Sequence, residues 1–241
     1  MFELIGSFFN ITLYKPLFNL LVLLYNYLPG RDFGIAIIFL TLIIKILLYP
    51  ISVKAIKSQA ALQKLQPKIQ EAQNKNKNDK EKQAKEILDI YRQEKVNPFS
   101  GLLLGIIQIP ILIALYQVFW NGLKASELSN LYGFVANPGQ INAIFLGMLD
   151  LSKPSIYLAI LAGISQYFQT KMLLPKKTGV VKAKGSDFAD MMQKQMTYFL
   201  PFFTVIILLG LPSALGLYWT ASGLFSIIQQ YFLLKDKKNG Q

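Results

Sequence analysis

The stretch GIAIIFLTLIIKILLYP, Gly34 to Pro50, carries a single charge, on Lys45, in an otherwise apolar run. A hydrocarbon layer roughly 30 Å thick takes about 20 mainly apolar helical residues to cross. Extended to Phe33–Ile51, the run meets that length and reads as a first membrane span. Outward from it come two more apolar blocks, Phe99–Trp120 and Ser155–Leu174. A third, Met196–Leu234, is too long for one helix, and Gly210 and Pro212 break it into a hairpin of two spans. The expectation is an all-α integral membrane protein with five transmembrane helices.

Upstream, Phe2–Pro29 is apolar but interrupted by Asn10, Lys15-Pro16, Asn19 and Asn26. It lacks the small-residue cleavage site of a signal peptide. The reading is an N-terminal amphipathic helix over 1–32, lying in the interface with Tyr14, Tyr25 and Tyr27 at headgroup level. A full span is the competing reading. The unit 33–52 is the first span. The segment 53–97 is too polar for lipid. Its apolar positions Leu62, Leu65, Ile69 and Ala72, and then Ala84, Leu88 and Tyr91, step by three and four. That spacing predicts an antiparallel helical hairpin, turning at Asn74–Asp79 and kinked at Pro67. Residues 98–234 hold the other four spans, and 235–241 form a short basic tail.

Charge sets the topology. The Val53–Lys95 segment holds 11 Lys/Arg against 6 Asp/Glu, the Pro175–Gln195 segment 5 against 2, and the tail after Leu234 3 against 1. The intervening segments Met1–Asp32 and Asn121–Pro154 are balanced at 2 against 2 each. Positively charged loops stay cytoplasmic, so the N-terminus is expected outside and the C-terminus in the cytoplasm. Five spans demand the same. The net charge of +12 therefore tracks the cytoplasmic loops and predicts no dedicated nucleic-acid ligand.

The chain has no cysteine and no histidine. Disulfides, thiolate chemistry and the commonest general base are thereby excluded. With no nucleophile–base pair, metal cluster or phosphate-binding loop in the pattern, no enzyme, no cofactor and no metal are expected. No Asp or Glu falls inside an apolar block, which argues against an ion-coupled transporter.

Polar residues within the spans are the candidate site. A lysine at a helix centre costs about 2.5–3.5 kcal/mol on insertion scales. Lys45 therefore either faces a wet cavity or snorkels to the nearby interface. Thr41 lies one turn from it. Trp219, Ser222, Ser226 and Gln229, spaced three, four and three, share one helical face. Gln166 and Gln169 share a face of the third span, and Gln108 lies in the second. Such groups either hydrogen-bond between packed helices, at roughly 0.6 kcal/mol each, or line a hydrated groove. Polar faces on several spans around an ammonium without a carboxylate fit the groove better.

Several motifs resemble the YidC/Oxa family of membrane protein insertases. Gly34-Ile-Ala-Ile-Ile, with Thr41, Lys45 and Pro50, looks like its first core span. Asn97-Pro98-Phe99-Ser100-Gly101, followed by Gln108-Ile-Pro110 and Ala114-Leu-Tyr116, resembles the second. Asp150-Leu-Ser-Lys-Pro154 is similar to its outer loop, and Leu211-Pro-Ser213, Leu217-Tyr-Trp219, Ser222 and Ile227-Ile-Gln-Gln230 resemble its last hairpin. The likeness runs from about Phe33 to Leu234. It implies five core helices and a cytoplasmic hairpin around a groove open to cytoplasm and lipid and closed outside. It also implies a bacterial plasma-membrane location, clients that are nascent membrane proteins, and the ribosome, the Sec translocon and membrane lipids as partners. The family usually has arginine where this chain has Lys45, and lysine lacks the planar fork that grips a carboxylate at two points. The large periplasmic domain of some members is not expected. A small anion-permeable channel or transporter with Lys45 as its selectivity charge, and a non-transporting assembly factor whose hairpin recruits partners, are the rival readings.

Overall fold

The computed structural model describes residues 2–77, 79–97, 99–122, 124–173 and 195–239. The basic segment Pro175–Gln195 thus lies, apart from Gln195, outside the described residues. The chain begins with α1 (Phe2–Phe9), a π-helical turn (Asn10–Tyr14) and α2 (Lys15–Tyr27). Pro16 does not break this segment. It sits in the first turn of α2, and the wide turn before it closes through the Lys15 N–H on the Asn10 carbonyl. Gly6–Tyr27 is long and apolar enough to cross a membrane by length and composition. Tyr14 and Tyr25, expected at headgroup level, are instead buried in the core with Phe18, Leu21 and Val22, while Tyr27 is exposed.

After a 3-10 turn at Pro29–Arg31, α3 spans Phe33–Leu47. The Asp32 carboxylate caps it, accepting from the Ile35 N–H over 2.9 Å. Pro50 does not simply end this helix. It enters the first turn of α4 (Tyr49–Lys75), and the two axes meet at 66° across Leu48. The expected span 33–52 is therefore a helix to Leu47, an elbow and the start of the next helix. Helix α4 passes through Pro67, and α5 (Lys80–Gln93) returns beside it, capped by Asp79.

The hairpin seam on α4 is the one the spacing predicts, with Leu65, Ile69 and Ala72 buried. On α5 the prediction holds for Tyr91, which is half-buried, and fails for Ala84 and Leu88, which are exposed, whereas Gln83, Glu86, Ile87 and Ile90 are half-buried. On that half-buried face the Gln83 amide donates to the Gln73 carbonyl over 3.1 Å, and the Asn76 amide donates to Glu86.

Helix α6 covers Ser100–Asn121 and α7 Ile156–Met172; a π turn at Gln195–Phe199 leads into α8 (Leu200–Leu208), and α9 runs over Ser213–Asn239. The break between α8 and α9 falls where Gly210 and Pro212 place it. The backbone of 235–239, where the short basic tail begins, continues α9. Small residues bring α7 close to α8 and α9: a side chain at Gly163 would strike Val205, one at Gly216 would meet Leu158, and one at Gly223 would meet Ser165. Gly105–Asn121 and Gln195–Leu208 are shorter apolar helices, and α3 is long enough to cross a membrane only together with α4, as a bent pair.

The segment between α6 and α7 folds along the N-terminal helix. The Tyr14 hydroxyl donates to Glu127 over 2.6 Å. Asn19 donates to the Asn130 carbonyl and accepts from the Tyr132 N–H. The Tyr25 hydroxyl accepts from the Asn142 N–H, and Asn26 donates to the Ala136 carbonyl. This segment ends in a two-stranded ribbon, β1 (Ile144–Phe145) and β2 (Leu149–Asp150), whose Phe145 ring lies against Gly34.

Candidate functional site

Helices α3, α4, α6, α7 and α9 enclose a cavity of about 280 Å³. Its walls include Lys45, Gln108, Gln169, Trp219, Ser222, Ser226 and Gln229, so seven of the nine residues singled out from the sequence meet around one space. The chain reaches this arrangement through helical periodicity on two facing elements. On α9, Ser222, Ser226 and Gln229 fall on successive turns of one face. On α3, Lys45 points across at that face from the last turn before the elbow.

The polar groups are tied in short relays. The Lys45 ammonium donates to the Ser226 hydroxyl over 3.1 Å, and that hydroxyl donates to the Ser222 carbonyl over 2.9 Å. The Gln229 amide donates to the Ser52 hydroxyl over 2.6 Å, and Ser52 donates in turn to the Tyr49 carbonyl over 2.8 Å. Gln108 donates to the Tyr218 hydroxyl. Among the described residues no carboxylate pairs with Lys45; the ion pairs there all lie in the hairpin or the Asp150 turn. An ammonium with three donors and one hydroxyl partner retains unused hydrogen-bonding capacity toward the cavity.

Two expected residues are not in the lining. Thr41 is wholly buried, and its hydroxyl donates back to the Ile37 carbonyl over 2.7 Å, which satisfies it within α3. Gln166 is half-buried and does not border the cavity; its carbonyl oxygen is buried without a partner among the described residues. The structure adds Ser52, Gln59, Tyr218 and Gln230. The first two follow Lys45 at seven-residue steps, which is two turns of one face, so the sequence carried their signal across the elbow. Tyr218 precedes Ser222 by four. Gln230 is 1% exposed and its carbonyl oxygen is unpartnered among the described residues.

The described residues contain no group of three or more metal-binding side chains. The cavity lining, polar and carrying one ammonium, can hydrate and attract polar or anionic groups.

The chain is similar to known proteins over most of its length. The family model described as "60Kd inner membrane protein" matches residues 23–240. A protein of Fusobacterium nucleatum subsp. nucleatum named "Membrane protein insertase YidC" is 35% identical over 204 residues, covering 85% of this chain and 87% of that protein. One of the same name from Wigglesworthia glossinidia brevipalpis is 34% identical over 224 residues, covering 93% of this chain but 37% of its own length. One from Histophilus somni is 34% identical over 223 residues, covering 92% of this chain and 36% of its own length. The chain thus spans little more than a third of two of these relatives. A solved structure described as "Active YidC insertase crystal structure with the first transmembrane domain resolved" superposes with a TM-score of 0.60 at 28% identity, over 95% of this chain and 50% of that one.

Proposed function

Since the chain belongs to the 60Kd inner membrane protein family, the YidC/Oxa family, we propose that it is a membrane protein insertase that works through the Lys45 cavity. The observation that carries this reading is the Lys45 ammonium facing a polar cavity with Ser226 as its hydrogen-bond partner and no described carboxylate to neutralise it. A polar tail crossing an apolar layer must shed water, and that desolvation is the barrier. Lys45, Gln108, Gln169, Ser222 and Ser226 would keep the tail hydrated partway across. In so poorly polarisable a setting the ammonium attracts acidic residues more strongly than it would in water. The client's apolar segment then leaves sideways into lipid, and its burial there drives the step. Thr41 and Gln166 support this wall by packing rather than by facing the client.

The same reading puts α3 with the first turn of α4, α6, α7, the π turn with α8, and α9 across a bacterial plasma membrane, with the N-terminus outside and the C-terminus in the cytoplasm. The α4–α5 hairpin is then cytoplasmic, where it meets clients, anionic headgroups, the ribosome or the Sec translocon. The N-terminal helix lies in the outer interface. Its support is the sequence of contacts from Tyr14 to Asn26, which all reach the single segment Glu127–Asn142. A helix standing upright through the bilayer would meet that outer segment only at one end.

The test is insertion of a single-span client with a short acidic N-terminal tail into liposomes containing the wild-type chain or Lys45→Ala. Protection of the tail from external protease is the readout. Strong protection by the wild type and weak protection by Lys45→Ala supports the mechanism. Equal protection removes Lys45 from it, and no protection above empty liposomes removes the insertase reading.

A further inference from the structure

Between α6 and α7, the stretch Leu131–Leu149 contains no Asp, Glu, Lys or Arg, in a chain whose Val53–Lys95 and Pro175–Gln195 segments are rich in charge. It also leaves large apolar side chains uncovered: Phe134 is 75% exposed, Leu146 58% and Met148 85%, with Ile144 beside them on β1. The tip of the ribbon is built at a conformational cost. Leu146 has φ +50 and Gly147 φ +71, with the Met148 N–H closing the turn on the Phe145 carbonyl over 3.0 Å. Glycine or asparagine is the ordinary choice at such a φ, yet a leucine is held there with its side chain outward.

The height of this tip relative to the spans is fixed by one carboxylate. Asp32 caps α3 through one oxygen, and through the other it accepts from the Leu146 N–H over 2.6 Å. Leu146 therefore sits level with the first turn of α3, where the apolar run Phe33–Leu47 starts. On the membrane topology proposed above, that level is the boundary between headgroups and acyl chains. An irregular ribbon with open backbone groups does not enter the hydrocarbon itself, but apolar side chains on it can reach about 5–10 Å into the boundary, as interfacial helices do.

We propose that the Leu131–Leu149 segment is a lipid-docking lobe, seated in the outer leaflet through Phe134, Ile144, Leu146 and Met148. This rests on the membrane topology given above. Without charges, the lobe takes its binding from burial of apolar surface, so it prefers no headgroup charge and keeps its depth in high salt. By seating the ribbon, it would also hold Phe145 against Gly34 and keep the outer end of α3 closed.

The absence of native cysteine makes the test direct. Spin labels are placed singly at Leu146→Cys, Met148→Cys, Gln140→Cys and Ile164→Cys in protein reconstituted in phosphatidylcholine liposomes. Collisions with oxygen and with a water-soluble nickel chelate are compared. Ile164 is an exposed apolar position of α7 and reports a span, and Gln140 is the exposed polar reference on the lobe. The expected result is an oxygen-to-nickel ratio several-fold higher at 146 and 148 than at 140, unchanged between low salt and 1 M salt. Nickel access at 146 and 148 equal to that at 140, with Ile164 still in lipid, overturns the lobe alone. Shielding of 146 and 148 from both reagents means a protein partner or a second copy covers them, and also overturns it. Nickel access at Ile164 removes the membrane topology and the lobe together.

Discussion

Gln229 and Ser52, separated by 177 positions in sequence, are joined by a buried 2.6 Å hydrogen bond from the Gln229 amide to the Ser52 hydroxyl. The bond fastens α9 to the first turn of α4, immediately past the elbow. It is therefore both part of the cavity wall and the polar tie that fixes where the hairpin leaves the core.

Leaving one member of a buried pair without its partner costs about 1–3 kcal/mol, whereas removing both is far milder. Gln229→Leu is expected to lower the thermal midpoint in detergent by a few degrees. Adding Ser52→Ala should recover most of that loss. A double-mutant cycle read by thermal unfolding measures the coupling; additive losses would mean that the pair does not act as one unit.

The Phe145 ring fills the space a side chain at Gly34 would need. Gly34→Ala should therefore destabilise the outer end of α3 by about 1–3 kcal/mol, the usual range for overpacking. Phe145→Ala in the same chain makes room and should restore part of the stability. Denaturant midpoints of the single and double variants decide this.

Asp32 serves two donors at once, the N–H groups of Ile35 and Leu146. Asp32→Ala is expected to cost about 1 kcal/mol through the lost cap and to speed hydrogen exchange at the Leu146 amide. Asp32→Asn should keep much of the cap, because asparagine caps helices as well as aspartate does. Exchange rates at residues 35 and 146, followed by mass spectrometry, separate the two effects.

In the turn after β2, the Ser152 hydroxyl and then the neighbouring Lys153 ammonium hold the Asp150 carboxyl below its ordinary value. A carboxyl depressed on folding adds stability that is present above its unfolded value, near pH 4 (~3.9), and is lost as pH falls through the folded value. Unfolding temperature should therefore drop as pH is lowered from about 4, and Asp150→Asn should flatten that part of the curve. An identical slope in both proteins would assign the acid sensitivity elsewhere.

Replacing the Lys45 charge in kind is the gentlest probe of the cavity. Lys45→Arg keeps the positive charge and should sustain insertion of acidic-tailed clients within a few-fold of wild type, while Lys45→Gln should lose it. Tail protection in liposomes, with the two variants matched for reconstituted amount, gives the comparison.

The sequence was most legible where one force dominated. Apolar blocks located the helices, Gly210 and Pro212 located the α8–α9 break, and polar periodicity on α9 located the cavity face. It misled where a local choice depended on distant partners. Thr41 has the spacing of a cavity residue, but its hydroxyl is satisfied by Ile37 one turn back. Tyr14 and Tyr25 have interfacial character, yet Glu127 and the Asn142 N–H give their hydroxyls partners that allow burial. Ala84 and Leu88 carry the hairpin pattern with Tyr91, but they are exposed, and bridges at Asn76 and Gln83 hold the neighbouring face of α5 toward α4. Pro16 and Pro50 look like breaks, and each finds a helix first turn, where a missing N–H costs nothing.

The elbow at Leu48 gives the molecule a mechanical aspect. Helix α4 has 27 residues, so at 1.5 Å per residue it is an arm of about 40 Å that starts beside the cavity and packs along α6. A swing of about 10° at Leu48 would carry the far end of that arm through about 7 Å, while Ser52, one turn from the pivot, would move only about 1 Å. The Ser52–Gln229 bond therefore lies close to the pivot, where any swing of the arm moves it least. A displacement of several ångströms at the hairpin tip thus reaches the wall of the Lys45 chamber reduced to about one.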